Sequence, residues 1–250
     1  MPELLAVEGL GKAFGGIRAV DGVSFRIERP GIYGLIGPNG AGKTTLFDVL
    51  CGRQAADAGE IRFEGRRVDL DRVHRRARRG FARTFQECRV LLEESCRDNV
   101  LFAAQDKRLG REGLQAMLRS GRARRAARAE ADRLLDLAGL ARYAEAPASV
   151  LSYGQRRLLE IVSTLMTRPR LLLLDEPASG VNPTLLNALH DFLKRMFAER
   201  PAVFIVVEHN MEFIMSLASE IIVMHQGRIL ERGTPAAIQA SRQVIDAYLG

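Results

Sequence analysis

The sequence predicts an α/β fold, a mostly parallel sheet flanked by helices. Three observations predict it. Short continuous apolar runs recur at Ile32-Tyr33-Gly34-Leu35-Ile36, Leu171 to Leu174 and Val203 to Val207, the pattern of strands buried on both faces. Helical stretches separate these runs, as βαβ units require. The composition is globular, at 47% hydrophobic and 27% charged.

Two further parts flank that core. Leu4-Ala6-Val7 and Val20-Val23-Phe25-Ile27 read as strands, with turns expected at Gly15-Gly16 and Asp21-Gly22. Glu60 to Gly65 reads as one arm of a hairpin, so an antiparallel β subdomain is expected. Leu46, Phe47, Val49 and Leu50 follow at helical spacing after a Gly-rich loop. From about residue 88 to 145 the chain turns rich in Ala, Arg and Leu with few β-branched residues. That composition predicts a helical lobe, taken here to span approximately 88–160. Thr184 to Phe197 reads as a helix, Glu220 to Met224 and Arg228 to Glu231 as the last strands, and a short helix begins near Pro235. One domain over 1–250, with the lobe inside it, accommodates all of this.

Charge and cysteine content exclude several function classes. No apolar run approaches the roughly 20 residues that span a bilayer, and the start lacks a basic, then apolar, leader; a soluble cytoplasmic chain is expected. Cys51, Cys88 and Cys96 lack CxxC spacing, which points away from a disulfide framework or zinc site. Net charge is +7, and Arg supplies 33 of the 37 basic residues. Arg concentrates at 66–83 and 119–133. Such stretches can bind nucleic acid or an anionic membrane, but they read most simply as solvated helical faces. In the second, Glu130, Asp132 and the leucines that follow indicate an amphipathic helix.

The strongest local signal is Gly37-Pro38-Asn39-Gly40-Ala41-Gly42-Lys43-Thr44-Thr45, a match to GxxxxGK[ST] between a strand and a helix. Phosphates need many donors close together. Gly40 and Gly42 let the backbone curl so that N–H groups point inward, and the next helix offers its positive end. Lys43 can reach the terminal phosphates and the Thr44 hydroxyl can ligate Mg²⁺. The core is therefore expected to be a P-loop NTPase.

Leu171 to Leu174 run into Asp175-Glu176. A buried strand ending in acids places Asp175 at the carboxyl edge of the sheet, where ligands bind in open α/β folds. A carboxylate there suits Mg²⁺. Glu176 points elsewhere and can orient or deprotonate an attacking water.

With these motifs the sequence resembles the ATP-binding subunits of ABC transporters. It carries Leu151-Ser152-Tyr153-Gly154-Gln155, similar to the LSGGQ signature, about 20 residues before the acidic strand end. Arg83-Thr84-Phe85-Gln86 resembles the Q-loop, Val207-Glu208-His209-Asn210 the switch histidine, and Ala178 to Asn182 the D-loop. Phe14 sits where that family stacks an aromatic on adenine. The resemblance implies ATP and Mg²⁺ as cofactors and ATP hydrolysis coupled to transport. Glu176, His209 and Gln86 would be catalytic, and Thr44, Gln86 and Asp175 would face the metal. Phe14, residues 37 to 45 and, from the opposite subunit, Ser152, Gly154 and Gln155 would bind nucleotide.

Within that family it looks most like the ATPase subunits of branched-chain amino-acid importers. Phe14-Gly15-Gly16, Arg83 to Gln86, Tyr153, Gly180-Val181-Asn182-Pro183 and the ending Val244 to Gly250 carry that likeness. Urea or amide importers and the lipopolysaccharide-export ATPase are the alternatives, and a soluble nucleic-acid-associated ABC ATPase is an alternative of another class. Tyr153, Asn182 and Asn210 depart from the commonest family residues, the first two as the subgroup does. Glu93 to Arg97 is atypical for the permease-facing stretch. The implied partners are a second ATP-binding subunit, two integral membrane permeases and an extracytoplasmic solute-binding protein, with no nucleic acid. The implied location is peripheral, on the cytoplasmic side of the inner membrane.

Overall fold

The computed structural model describes residues 3–84, 88–103 and 121–249. Gln86 lies outside the described residues. In chain order the described elements begin β1 (Leu5–Phe14), β2 (Ile17–Ile27), β3 (Gly31–Ile36), α1 (Lys43–Cys51), β4 (Ala58–Phe63), β5 (Arg66–Arg67), α2 (Val73–Arg78) and β6 (Phe81–Arg83). Then come α3 (Cys96–Ala103), α4 (Gly121–Leu137), α5 (Tyr153–Met166), β7 (Leu171–Asp175), α6 (Pro183–Glu199) and β8 (Val203–Val207). The chain closes with α7 (Met211–Leu217), β9 (Glu220–His225), β10 (Arg228–Gly233), α8 (Pro235–Ala240) and α9 (Arg242–Leu249).

The chain divides into two compact units. The first comprises Met1–Arg83, Arg170–Glu176 and Phe197–Gly250. It holds a six-stranded sheet in the order β10-β9-β3-β8-β7-β6 and a four-stranded sheet in the order β2-β1-β4-β5. Pairing is parallel from β9 through β6, while β10 joins β9 antiparallel. The four-stranded sheet is antiparallel throughout. β3, β7 and β8 are buried at every position, which explains their unbroken apolar runs.

The core of this unit lies between the sheets and around α1. Leu5, Val7, Val20 and Ile61 from one sheet meet Leu35, Leu173, Ile205 and Ile222 from the other, with Leu46, Phe47 and Leu50 of α1 among them. Each such side chain, fully removed from water, contributes about 1.5–3 kcal/mol. α1 is thereby pinned under the loop that precedes it.

Two details differ from the sequence reading. Asp21-Gly22 is not a turn: β2 runs on through it, with its pairing shifted between Val20 and Val23. Gly22 has φ 67, a left-handed backbone that favours glycine, so it kinks a continuous strand at little cost. Nor is the 66–83 arginine stretch wholly a solvated face. Arg76 is 1% exposed, and its guanidinium donates to the carbonyls of Val49, Leu50, Asp69 and Asp71. It thereby satisfies the last carbonyls of α1, which a helix leaves orphaned.

The second unit comprises Thr84–Pro169 and Pro177–Met196. α4 buries Ala131, Leu134 and Leu135 and exposes Arg122, Arg124, Arg125 and Arg128, the amphipathic split expected from its sequence. α5 buries Leu158, Leu159, Ile161, Val162 and Leu165 along one stripe.

Candidate functional site

The loop between β3 and α1 is bent in the way phosphate binding needs. Gly40 and Gly42 have φ 78 and 97, in the left-handed region that favours glycine. A Cβ on Gly42 would collide with the Ala19 carbonyl oxygen, whereas one on Gly40 would meet nothing. Gly42 caps α1 without any side-chain hydrogen bond, so the helix keeps its positive end open for an anion. Lys43 folds back over the loop, its Nζ donating to the carbonyls of Gly37 at 2.7 Å and Pro38 at 3.0 Å. Burial pushes the Lys43 pKa down, and the charges of Glu176 and Asp175 oppose that shift. Both acids are thus within electrostatic reach of the ammonium. Thr44 is exposed at the first turn and Thr45 is half-buried.

The strand order brings the remaining acids to this edge. β7 and β8 pair in parallel with Asp175 opposite Val207, so the residues just beyond each strand are neighbours. Glu176 Oε1 lies 3.2 Å from His209 Nε2. Glu176 adopts φ 48, a left-handed backbone that costs a non-glycine residue about 1–2 kcal/mol. Its N–H bonds the Val207 carbonyl at 2.9 Å, which holds that conformation. Glu208 is 3% exposed and its Oε2 accepts from the N–H groups of His209 and Asn210. Asn210 in turn caps α7 by accepting from Phe213 N–H. The switch-like histidine therefore sits on a hydrogen-bonded turn.

Asp175 is buried, and Oδ2 accepts from Arg83 Nη2 at 2.7 Å. Arg83 Nη1 reaches Asp48 Oδ1 at 2.5 Å. Burial works against the Arg83 charge, but hydrogen bonds to Asp175, Cys51 and Asp48 outweigh it and raise its pKa. In the sequence Arg83 is visible only as part of the Arg83-Thr84-Phe85-Gln86 motif; no local signal separates it from its arginine-rich neighbours.

Phe14 ends β1 at a hairpin tip, 47% exposed, with Lys12 Nζ 5.3 Å from its ring centroid. Asp57 accepts from Lys12 Nζ and from Ala13 N–H, which steadies the residues leading to Phe14. The ring is available for stacking. In α9, burial pushes the pKa of the Tyr248 phenol up to about 12, and the Gly37 backbone pulls against that shift. In the sequence Tyr248 stands out only as part of the closing string Val244 to Gly250.

In the second unit Ser152 caps α5. Its Oγ accepts from Gln155 N–H, and Gln155 Oε1 accepts from Ser152 N–H, a complete capping box. Gln155 is thus engaged in the cap. Gly154 packs close to Leu185, whose Cδ2 a Cβ at this position would displace. The Tyr153 ring lies against Gly180, which has φ 69, so the signature and the Ala178–Asn182 turn touch through Tyr153.

The donor set fits a hard divalent cation shared with phosphates. Thr44 and Asp175 supply hydroxyl and carboxylate oxygens, the ligand type Mg²⁺ prefers. Among the described residues no group of three or more His, Cys, Asp or Glu could hold a metal by itself. A cation here needs phosphate oxygens to complete its shell, as Mg²⁺ usually does.

Comparison with known proteins agrees with this geometry. Residues 20–179 match the ABC transporter family, and residues 228–250 match the branched-chain amino acid ATP-binding cassette transporter family. The chain is 39% identical to the high-affinity branched-chain amino acid transport ATP-binding protein BraF of Pseudomonas aeruginosa, over 99% of this chain and 98% of that protein. It is 37% identical to LivG of Escherichia coli K12, described in the same words, with the same coverage. A crystal structure of an ATP-binding cassette of an ABC transporter in its ADP conformation superposes with TM-score 0.84 at 28% identity, covering 100% of both chains. The expected fold, a P-loop α/β core with an antiparallel sheet and helices, is the fold found. By sequence, by fold and by the edge that gathers Lys43, Asp175, Glu176 and His209, the chain belongs to the ABC transporter family of ATP-binding cassette ATPases.

Proposed function

We propose that this chain binds ATP with Mg²⁺ and hydrolyses it to drive a membrane importer of branched-chain amino acids. One observation carries the catalytic part: the Glu176 carboxylate stands at the strand edge, 3.2 Å from His209 Nε2, beside the Lys43 loop. A carboxylate held there can accept the proton of an attacking water. Phe14 stacks the adenine, and residues 37 to 45 wrap the phosphates with backbone N–H groups. Thr44, Asp175 and Gln86 hold the metal, which when bound offsets phosphate charge. Lys43 and His209 contact the γ-phosphate. Ser152, Gly154 and Gln155 of a second ATP-binding subunit complete the site, so that ATP binding closes a dimer and hydrolysis reopens it.

The substrate and partners rest on relatives. BraF and LivG are described as branched-chain amino acid transport ATP-binding proteins, and the C-terminal family match lies in the same subgroup. Those likenesses favour this importer over the urea, amide and lipopolysaccharide alternatives. Among the described residues no helix is long and apolar enough to cross a membrane. As in such importers, the chain would work on two permease subunits at the cytoplasmic face, with an extracytoplasmic solute-binding protein delivering the amino acid. Arg76 and Arg83 are committed to internal contacts, which weakens the nucleic-acid alternative. The test is Glu176→Gln: nucleotide affinity persists while phosphate release falls more than tenfold. Unchanged release would remove Glu176 from the chemistry. Reconstitution with the permeases and uptake of labelled leucine tests the substrate.

A further inference from the structure

Arg83 has no part in the proposed hydrolysis, yet it is the most heavily engaged cation at the site. Its side chain is 6% exposed and forks between two carboxylates on different elements. Nη1 meets Asp48 of α1, and Nη2 meets Asp175 at the end of β7. Nη1 also lies 3.5 Å from Cys51 Sγ, and the guanidinium carbon lies 5.6 Å from the Phe47 ring centroid. Both of those residues belong to α1 as well.

The spacing on α1 gives this fork a purpose. Asp48 follows Thr44 by four residues, so the two share a face of the helix one turn apart. Thr44 and Asp175 are two of the groups proposed to face the metal, alongside Gln86. Arg83 thus joins the strand that carries one of them to the helix turn next to the other. A planar guanidinium suits this task, because its donors sit in a rigid fork. A lysine ammonium is a single point charge and cannot present two fixed arms. Without the cation, Asp48 and Asp175 would meet as two like charges in a largely buried setting, which favours their moving apart.

We propose that Arg83 is a positioning residue for the divalent cation, fixing Asp175 relative to the Thr44 turn of α1 through Asp48. This rests on the reading of Thr44 and Asp175 as metal-facing oxygens. Carboxylate ligands are commonly held by such outer partners, and removing one typically costs 10–100-fold in metal affinity.

The experiment measures Mn²⁺ binding to the protein–ADP complex by electron paramagnetic resonance, with ADP affinity in EDTA measured alongside. Arg83→Met is expected to weaken Mn²⁺ by about tenfold or more, leaving ADP affinity in EDTA nearly unchanged. Arg83→Lys should fall between it and the parent. Asp48→Asn should weaken Mn²⁺ more mildly, and should add little once Arg83 is already Met, because both changes cut the same link. If Arg83→Met fails to fold, Arg83→Lys combined with Asp48→Asn carries the test, again with less than additive loss expected. Full Mn²⁺ affinity in the Arg83 variants, or strictly additive losses, overturns the proposal. Asp175→Asn separates the two ideas. Weakened Mn²⁺ in Asp175→Asn with normal Mn²⁺ in the Arg83 variants removes the role of Arg83 alone. Normal Mn²⁺ in Asp175→Asn removes the metal reading and this proposal with it.

Discussion

His209 Nε2 and Glu176 Oε1 lie 3.2 Å apart, and the sheet itself sets that distance. Asp175 pairs with Val207 across β7 and β8, so each side chain emerges just past its own strand on the same edge. Two groups in contact around one reacting water are expected to act as a unit. Glu176→Gln and His209→Ala should each lower phosphate release more than tenfold, and the double variant should be little worse than Glu176→Gln alone. Multiplying losses would mean that the two side chains act independently. Single-turnover phosphate release, with nucleotide affinity measured in parallel, decides between these outcomes.

Lys43 serves the loop before any nucleotide arrives. Its ammonium is buried and bonds the carbonyls of Gly37 and Pro38, which keeps the loop curled. Lys43→Ala therefore removes both a phosphate contact and a brace. ATP binding should fall below detection by calorimetry at micromolar protein. Retained micromolar affinity would contradict the assignment of the loop.

Arg76 makes a prediction about stability alone. Its buried guanidinium serves four carbonyls, two of them at the end of α1. Arg76→Met keeps some of the packing but leaves those acceptors unpaired in the interior. The cost is expected at about 3 kcal/mol, seen as a lower urea midpoint with an unchanged slope. Nucleotide affinity of the folded fraction should persist. A midpoint at the parent value would show that the carbonyls find other partners cheaply.

Local sequence carried most of the fold and the centre of the site. β3, β7 and β8 were legible because burial on both faces forces unbroken apolar runs, and the Lys43 loop because its glycines are needed for backbone geometry. The remainder depends on partners distant in the chain. Asp21-Gly22 looks like a turn until Leu10 and Lys12 of β1 are placed opposite Val23 and Val20 on either side of it; only then is it a kink within a strand. Arg83 meets Asp175 because β6 and β7 are neighbours, and Asp48 because α1 packs beside them. None of these pairings leaves a periodic trace in the sequence.

Ser152 and Gln155 pose a last question, since one pair of side chains is offered two tasks. Each accepts from the other's backbone N–H to cap α5, while the proposed dimer also asks them to meet nucleotide on a second subunit. Substitutions can separate the tasks. Ser152→Ala loses the cap and should cost about 1 kcal/mol. Gln155→Glu preserves the box, because Glu accepts at the third helical position as Gln does; stability should stay within about 0.5 kcal/mol. A carboxylate facing phosphate is repulsive, however. In a Glu176→Gln background, where ATP is held without turnover, size exclusion should show the parent as an ATP-dependent dimer. Adding Gln155→Glu should return it to monomer despite its intact cap. A dimer that persists with Gln155→Glu would confine Gln155 to capping and remove it from the nucleotide site.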